Sequence, residues 1–449
     1  MIGKRVVGLD ISDHTIEVVA LGGSPTNPAI ISMNRASLPP GIVEYGLIKD
    51  EKKLTEVLNK LFDDAKPEKI LKSNIIFGLP ESLTYIHVFH VGKEQSRDIA
   101  TVVEHELTSF VPIEQSSLAY TYSILRETKE GSDIVAVAVD KQVIASWQSF
   151  FKKNKFEVET MDIESLALAR NVPAVSTGSY AMVDIGDKTT RVSVFDSFGM
   201  RFNYTIQLAG DHISQAIADG LHIEREEAEE EKIETGMLGK NKKITDIIKV
   251  VSDDILSHIN EGLAFYHKQS GQEVVLVVFV GGSSQLKGFV EYAGKTLKKE
   301  TRLGTSRLNK KNISFEYLEA IGLALRGLSK KWDKRDPLIE LDNLRQIKGV
   351  VEPKIKQKKT TEGHVDVDTL VQSPKKQKHI KQIIIVCVCV VLAFGGAFLY
   401  RNLQRNKTSS PPDLPKLKEL DSILEIKDKA DGITVSVSST VDNISTSTE

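Results

Sequence analysis

Short apolar runs alternate with longer stretches of helical spacing from Val6 to about Leu328. Val6 to Leu9, Ile134 to Val139, Met182 to Phe195 and Val274 to Val280 read as strands, and the periodic segments between them predict helices. That alternation predicts an α/β fold. The pattern then changes twice. Residues 330–381 are rich in Lys, Gln, Asp and Thr and carry no sustained apolar period, which predicts a flexible linker. Ile383 to Leu399 reads IIIVCVCVVLAFGGAFL without a charge, and with Ile380 and Tyr400 at its margins it approaches the roughly 20 residues that span a bilayer. We expect a transmembrane helix at 382–400, because a polar linker before it and a Ser/Thr/Pro-rich tail after it offer nothing to bury it.

Composition changes this picture little. The chain has 449 residues, 41% hydrophobic and 27% charged, with a formal net charge of -2 that gives no reason to expect nucleic acid as a partner. Both cysteines, Cys387 and Cys389, lie in the apolar run, so no disulfide framework or metal pair is expected. Lysines and arginines flank that run on both sides and leave its orientation open. The N-terminus lacks the apolar core of a secretory signal, so the globular part is expected in the cytoplasm, with residues 401–449 crossing as a short polar tail. His87 and His90 sit three apart on a strand-like segment, a spacing that points them to opposite faces.

The most informative feature is a duplication. GLDISDHTIEVV from Gly8 aligns without a gap with MVDIGDKTTRVS from Met182, and five positions are identical. Asp10 pairs with Asp184, Ile11 with Ile185, Asp13 with Asp187, Thr15 with Thr189 and Val18 with Val192. Each copy is an apolar strand, an Asp, a tight polar turn and a second strand, which describes a β-hairpin with a carboxylate at its mouth. Two such hairpins face to face make a phosphate clamp, with turn N–H groups and hydroxyls on phosphate oxygens and the carboxylates on a hydrated magnesium. A third apolar strand, VVLVVFV from Val274, runs into Gly281-Gly282-Ser283-Ser284, where glycine allows close approach to a ligand. The pattern lacks the Gly-Lys-Ser/Thr ending of a P-loop.

The Asp10 hairpin, the Asp184 hairpin and the Gly281 turn resemble, in that order, the phosphate-1, phosphate-2 and adenosine motifs of the actin-like ATPase superfamily. Within it the chain most resembles the PilM family of type IV pilus assembly, from about Gly3 to Leu328. GLPESLTYIHVFHV from Gly78, VEHELTSFVPIEQSSLAYTYSIL from Val103, DIESLALAR from Asp162, LAGDHISQAIADGLHIEREEAEEEK from Leu208 and EYLEAIGLALRG from Glu316 carry the likeness. It implies two ribonuclease-H-like lobes over residues 1–329 around an ATP cleft, with a small inserted subdomain at 73–160. It further implies Asp10 and Asp184 at the metal and phosphates, and Ser12, Asp13, Thr15, Gly186, Asp187 and Thr189 in the turns. Gly210 would lie against the nucleotide, Glu229 and Lys232 beside the adenine, and Gly281, Gly282 and Ser283 under the nucleoside. A charge run such as EREEAEEEK is equally well read as a solvated helix face.

The sequence departs from the family pattern in the first turn, which usually resembles DIGSSSVK. Ser12 stands for the glycine and Glu17 for the lysine. A side chain at a turn needing positive φ predicts strain there, hence ATP and Mg2+ binding with weak or absent hydrolysis. The implied role is a scaffold of a pilus or related inner-membrane secretion platform that recruits PilN-like alignment proteins, with self-association left open; the expected membrane helix is a second departure, since the usual family member is soluble. Two rivals share the fold: an FtsA-like membrane-associated division or filament protein, and a small-molecule kinase.

Overall fold

The computed structural model describes residues 5–174, 177–308, 313–329 and 345–346. These all fall in the first of two units, Met1–Lys354; the second is Ile355–Glu449. The expected linker (apart from 345–346), the membrane helix at 382–400 and the tail at 401–449 lie outside the described residues. Among those described, no helix is long and apolar enough to cross a membrane.

The chain opens with β1 (Val6–Ile11), β2 (Thr15–Ser24) and β3 (Asn27–Ser37), an antiparallel meander. A two-residue pair, β4 (Val43–Glu44) with β5 (Leu47–Ile48), leads into α1 (Glu51–Asp63), whose N-cap Asp50 accepts the Lys53 N–H. Leu54, Leu58, Leu61 and Phe62 recur at helical spacing and fill one face of α1, all buried. Then β6 (Ile75–Leu79) returns parallel to β1. Next come β7 (Thr84–Gly92), α2 (Ile99–Phe110), β8 (Leu118–Glu127) and β9 (Gly131–Asp140). The chain comes back through α3 (Lys141–Lys153) to β10 (Val158–Ile163), which pairs parallel with β6, and continues into α4 (Glu164–Asn171).

The second half repeats the plan. It runs β11 (Ser179–Ile185), β12 (Thr190–Asp196), β13 (Gly199–Ile206), α5 (Gly210–Leu221), α6 (Arg225–Thr235), α7 (Lys242–Ser270), β14 (Val274–Val280), α8 (Phe289–Leu297) and β15 (Glu300–Leu303). The strand orders are β10-β6-β1-β2-β3 and β13-β12-β11-β14-β15, the same order read from opposite edges. The duplication seen in the hairpins therefore extends to both whole sheets. The apolar stretch from Met182 to Phe195 is interrupted at its turn and forms two strands, β11 and β12. Finally α9 (Leu318–Leu328) lies against β1, β2, β6 and α4, and a short strand β16 (Arg345–Gln346) pairs with the edge of β8.

The inserted sheet, β16-β8-β9-β7, is narrower than the 73–160 expected for it. Ile75–Leu79 and Val158–Ile163 are strands of the first sheet, and α3 buries Trp147, Phe150 and Phe151 in that lobe's core beside Phe77. Continuous hydrophobicity in β9 explains how the insertion is held. Ile134, Ala136 and Ala138 pack under Val103 and Leu107 of α2, while the alternate residues Val135, Val137 and Val139 join the core of the first lobe. A strand buried on both faces cannot show polar alternation. On β7, His87 stacks on Phe89 and Phe110 whereas His90 bonds Asp133, so the two imidazoles serve different partners.

Helices α4 and α9 cross unusually closely. A Cβ built on Gly322 would lie 1.9 Å from the Ala167 carbonyl oxygen, a backbone atom that cannot rotate away. The approach matters because each helix begins beside a carboxylate: Glu164 in the first turn of α4 and Glu319 in that of α9. Helix N-termini favour negative charge. Gly322→Ala should force the helices apart and lower stability by roughly 1–3 kcal/mol, with unchanged sheet content by circular dichroism. Denaturant melts of the variant check this, and an unshifted midpoint would show that the crossing is not tight.

Candidate functional site

The two hairpins of the duplication face each other between the lobes, and their turns touch through reciprocal pairs. Asp13 of the first turn takes Lys188 Nζ of the second, and His14 of the first lies 4.0 Å from Asp187 of the second. In the sequence alignment Asp13 corresponds to Asp187 and His14 to Lys188, so each turn presents its acid to the other's base. Asp13 also accepts the backbone N–H groups of Tyr45 at 2.8 Å and Gly46 at 3.0 Å. Burial opposes its ionisation, but Lys188 and these N–H donors outweigh that and hold the carboxyl below its ordinary range.

The strain expected at Ser12 is absent, since Ser12 is not among the positive-φ residues. Its hydroxyl does the work glycine would do by conformation, accepting the N–H of Thr15 at 3.0 Å and of His14 at 3.3 Å. The Thr15 hydroxyl lies 3.2 Å from Ser12 Oγ and bonds Glu17. Both hydroxyls and two turn N–H groups therefore close the turn on itself. In the second hairpin Gly186 is the turn residue, its N–H donating to the Thr189 carbonyl.

Gly210, Gly281 and Ser283 meet the second hairpin. The Gly186 carbonyl accepts the Gly210 N–H at 3.1 Å and the Ser283 hydroxyl at 3.2 Å. A Cβ on Gly210 would overlap Ser283 Oγ, and one on Gly281, at φ +82°, would lie 2.3 Å from Asp184 Oδ1. Only glycine fits where the Gly281 turn crosses Asp184. Gly282 has open space around its Cα. Lys232 is not on a solvated face: it is buried under the start of α5, bonding Glu229 at 2.7 Å, Ser214 Oγ at 2.9 Å and the Gly210 carbonyl at 3.2 Å. Glu229, half-exposed, clamps the same serine. These two residues brace the helix that carries Gly210.

Asp10 and Asp184 have different surroundings. Asp184 is held by Arg191 Nη2 at 2.8 Å, and the same guanidinium reaches Glu81 through Nε at 3.2 Å and Glu164 through Nη1. Asp10 instead faces Glu164 and Glu319, the three offering oxygen atoms within 4.8 Å of one another. Among the described residues this is the group able to hold a metal ion, and an all-carboxylate donor set fits a hard divalent cation such as Mg2+. One oxygen of Glu319 is buried without a hydrogen-bond partner. Burial first, then Glu17, Glu164 and Asp184, push the Asp10 carboxyl well above its ordinary range against the pull of Arg191. Glu319 is raised in the same way by burial and by Asp10. Burial lifts Glu164 to about 7, with Glu81 and Asp184 adding to it and Arg191 opposing.

Glu81, Glu164, Arg191 and Glu319 were not among the residues expected from sequence. A charge lodged in an otherwise apolar helical segment, as in IESLALA and YLEAIGLALRG, was the available signal, and so was the pairing of Glu17 with Arg191 across the duplication.

A carboxyl whose folded pKa is raised stabilises the fold below its unfolded pKa and loses that contribution as pH rises through the folded value. Melting of the metal-free chain should therefore worsen from about pH 5 to about pH 8, and Glu164→Gln should remove up to about 3 kcal/mol of that dependence. Thermal melts across this range test it, and parallel curves for the two proteins would overturn the assignment.

Comparison with known proteins places these features. A family model described as type IV pilus assembly protein PilM matches residues 8–328. Cell division protein FtsA of Pseudomonas aeruginosa is 24% identical over 385 residues, covering 74% of this chain and 91% of that protein. FtsA of Buchnera aphidicola subsp. Baizongia pistaciae is 24% identical, covering 66% and 72%. Among solved structures, a chain of a PilM-PilN type IV pilus biogenesis complex superposes with TM-score 0.61 at 19% identity, covering 72% of this chain and 98% of that one, and so shares the actin-like fold.

Proposed function

The chain belongs to the type IV pilus assembly protein PilM family, and from that membership we propose that it is a nucleotide-binding, actin-like scaffold of an inner-membrane pilus or related secretion platform. The observation that carries the nucleotide part is the pair of duplicated hairpins, with Asp10 and Asp184 at their mouths, facing each other across one cleft beside a glycine turn. Asp10, Glu164 and Glu319 would hold Mg2+, whose charge lets phosphates approach a carboxylate floor. The turns at Ser12–Thr15 and Gly186–Thr189 would take the phosphates, opening the Asp13–Lys188 and His14–Asp187 contacts as they do so. Gly210 and the Gly281–Ser283 turn would receive the nucleoside, braced from below by Glu229 and Lys232.

Occupancy would bias the angle between lobes, and the inserted sheet, packed into the first lobe through β9, would report it to a partner. We propose a PilN-like alignment protein as that partner, by analogy with the complex of the structural relative, and a helix at 382–400 that fixes the scaffold beside it with the tail at 401–449 outside. Glu164, near neutrality in its acidity, is the group suited to move a proton from water. As a ligand of Mg2+ beside Asp10 and Glu319 it would be kept from that task, consistent with weak or absent hydrolysis. The FtsA relatives support a division role less well, because the matching family model is that of PilM.

Calorimetric titration of the full chain in detergent with Mg-ATP, with phosphate release followed in the same sample, tests the reading. Binding with negligible release is expected. Asp10→Ala with Asp184→Ala should abolish binding and leave circular dichroism unchanged; retained affinity would sink the site assignment.

A further inference from the structure

Each half of the fold carries a row of side chains across its three-stranded meander at the level of the cleft. In the first half Asp10 on β1 stands opposite Glu17 on β2, and Glu17 opposite Arg35 on β3. In the second, Asp184 on β11 stands opposite Arg191 on β12, and Arg191 opposite Thr205 on β13. Directly opposed residues of an antiparallel ladder lie on one face, so the two rows are comparable position by position. The cation sits on the outer strand in one row and on the middle strand in the other.

That shift decides which positive charge reaches the cleft. Arg35 binds Glu17 at 2.6 Å with its own side chain 43% exposed, so its charge is spent at the outer edge of the sheet. Arg191 is 16% exposed and grips Asp184, Glu81 and Glu164 through three different nitrogens. The charges acting most strongly on Asp10 are those of Glu17, Glu164, Asp184 and Arg191, three negative and one positive. A phosphate chain entering beside Asp10 and Asp184 meets a carboxylate floor, and the guanidinium already bonded to Asp184 is the side-chain cation placed to receive it. Its planar fork suits phosphate oxygens as well as carboxylates.

We propose that Arg191 is a side-chain phosphate ligand of this cleft, exchanging Glu81 and Glu164 for phosphate oxygens as nucleotide enters. The first hairpin cannot offer the equivalent contact, because Glu17 occupies the corresponding place. The exchange also links the lobes to occupancy: Glu81 and Glu164 belong to the first half and Arg191 to the second, so the ligand would replace two ion pairs that join the halves. This rests on the nucleotide-binding reading above.

The test compares the full-length wild type with Arg191→Lys, Arg191→Gln and Arg191→Gln/Glu81→Gln by calorimetry, using Mg-ATP and, separately, adenosine. The double variant removes one of the carboxylates that Arg191→Gln would strand, and the lysine variant keeps the charge while losing the fork. Expected is a loss of roughly tenfold or more for Mg-ATP in the glutamine variants, a smaller loss for lysine, and unchanged adenosine affinity in all. Equal Mg-ATP affinity in the folded double variant and the wild type, or an equal loss for adenosine, would overturn the role of Arg191 and leave the nucleotide reading standing. A wild type that binds no Mg-ATP would remove both.

Discussion

The charge imbalance at the base of the cleft governs this molecule more than any other feature. Asp10, Glu81, Glu164, Asp184 and Glu319 converge there, and Arg191 is bonded to three of them. Carboxylates placed so close ionise together only at high cost unless positive charge joins them. The fold meets this partly by raising the proton affinity of Asp10, Glu81, Glu164 and Glu319, and partly through Arg191. Everything that positions the five acids, from the close crossing of α4 and α9 to the mirrored strand orders, serves to keep that imbalance in place. A scaffold built this way has an internal demand for cations, and a metal-bound nucleotide is one means of meeting it.

The duplication is what made the site readable before any coordinates. Asp10 and Asp184 each lie in a short, unremarked hairpin, but aligned together they define a two-fold arrangement that the sheets then repeat strand for strand. Gly210, Gly281 and Ser283 were named through the family resemblance, because a lone glycine turn is more often a plain connection, and the structure brings all three against the second hairpin. Glu164 and Glu319 were not legible as site residues. They reach the cleft because two helices distant in sequence cross at Gly322 and Ala167, and such a crossing leaves no local pattern. Lys232 shows the opposite failure: a run of charges usually means a solvated face, and here the third dimension turns one lysine inward beneath α5.

The insertion shows where segment boundaries mislead. Strands β6 and β10 flank it in sequence and look continuous with it, but parallel pairing with β1 and with each other draws them into the first lobe. Parallel partners are chosen by crossovers that no local period records. What remains between Thr84 and Asp140 is a sheet with one helix over it, fused to the lobe through the Val135, Val137 and Val139 face of β9. It is an extension of the first core, so a strain in that core reaches it without a hinge.

The reciprocal contacts between the two turns have a mechanical meaning. A single contact across a cleft is a pivot about which the halves can swivel freely. Two separated contacts of opposite polarity, Asp13 to Lys188 and His14 to Asp187, behave as a pair of dowels: they resist swivelling and sliding, and leave a straight pull apart as the easy motion. Each is partly exposed and weak on its own. The two turns thus key the halves in register, while the buried Arg191 pairs carry the grip between them.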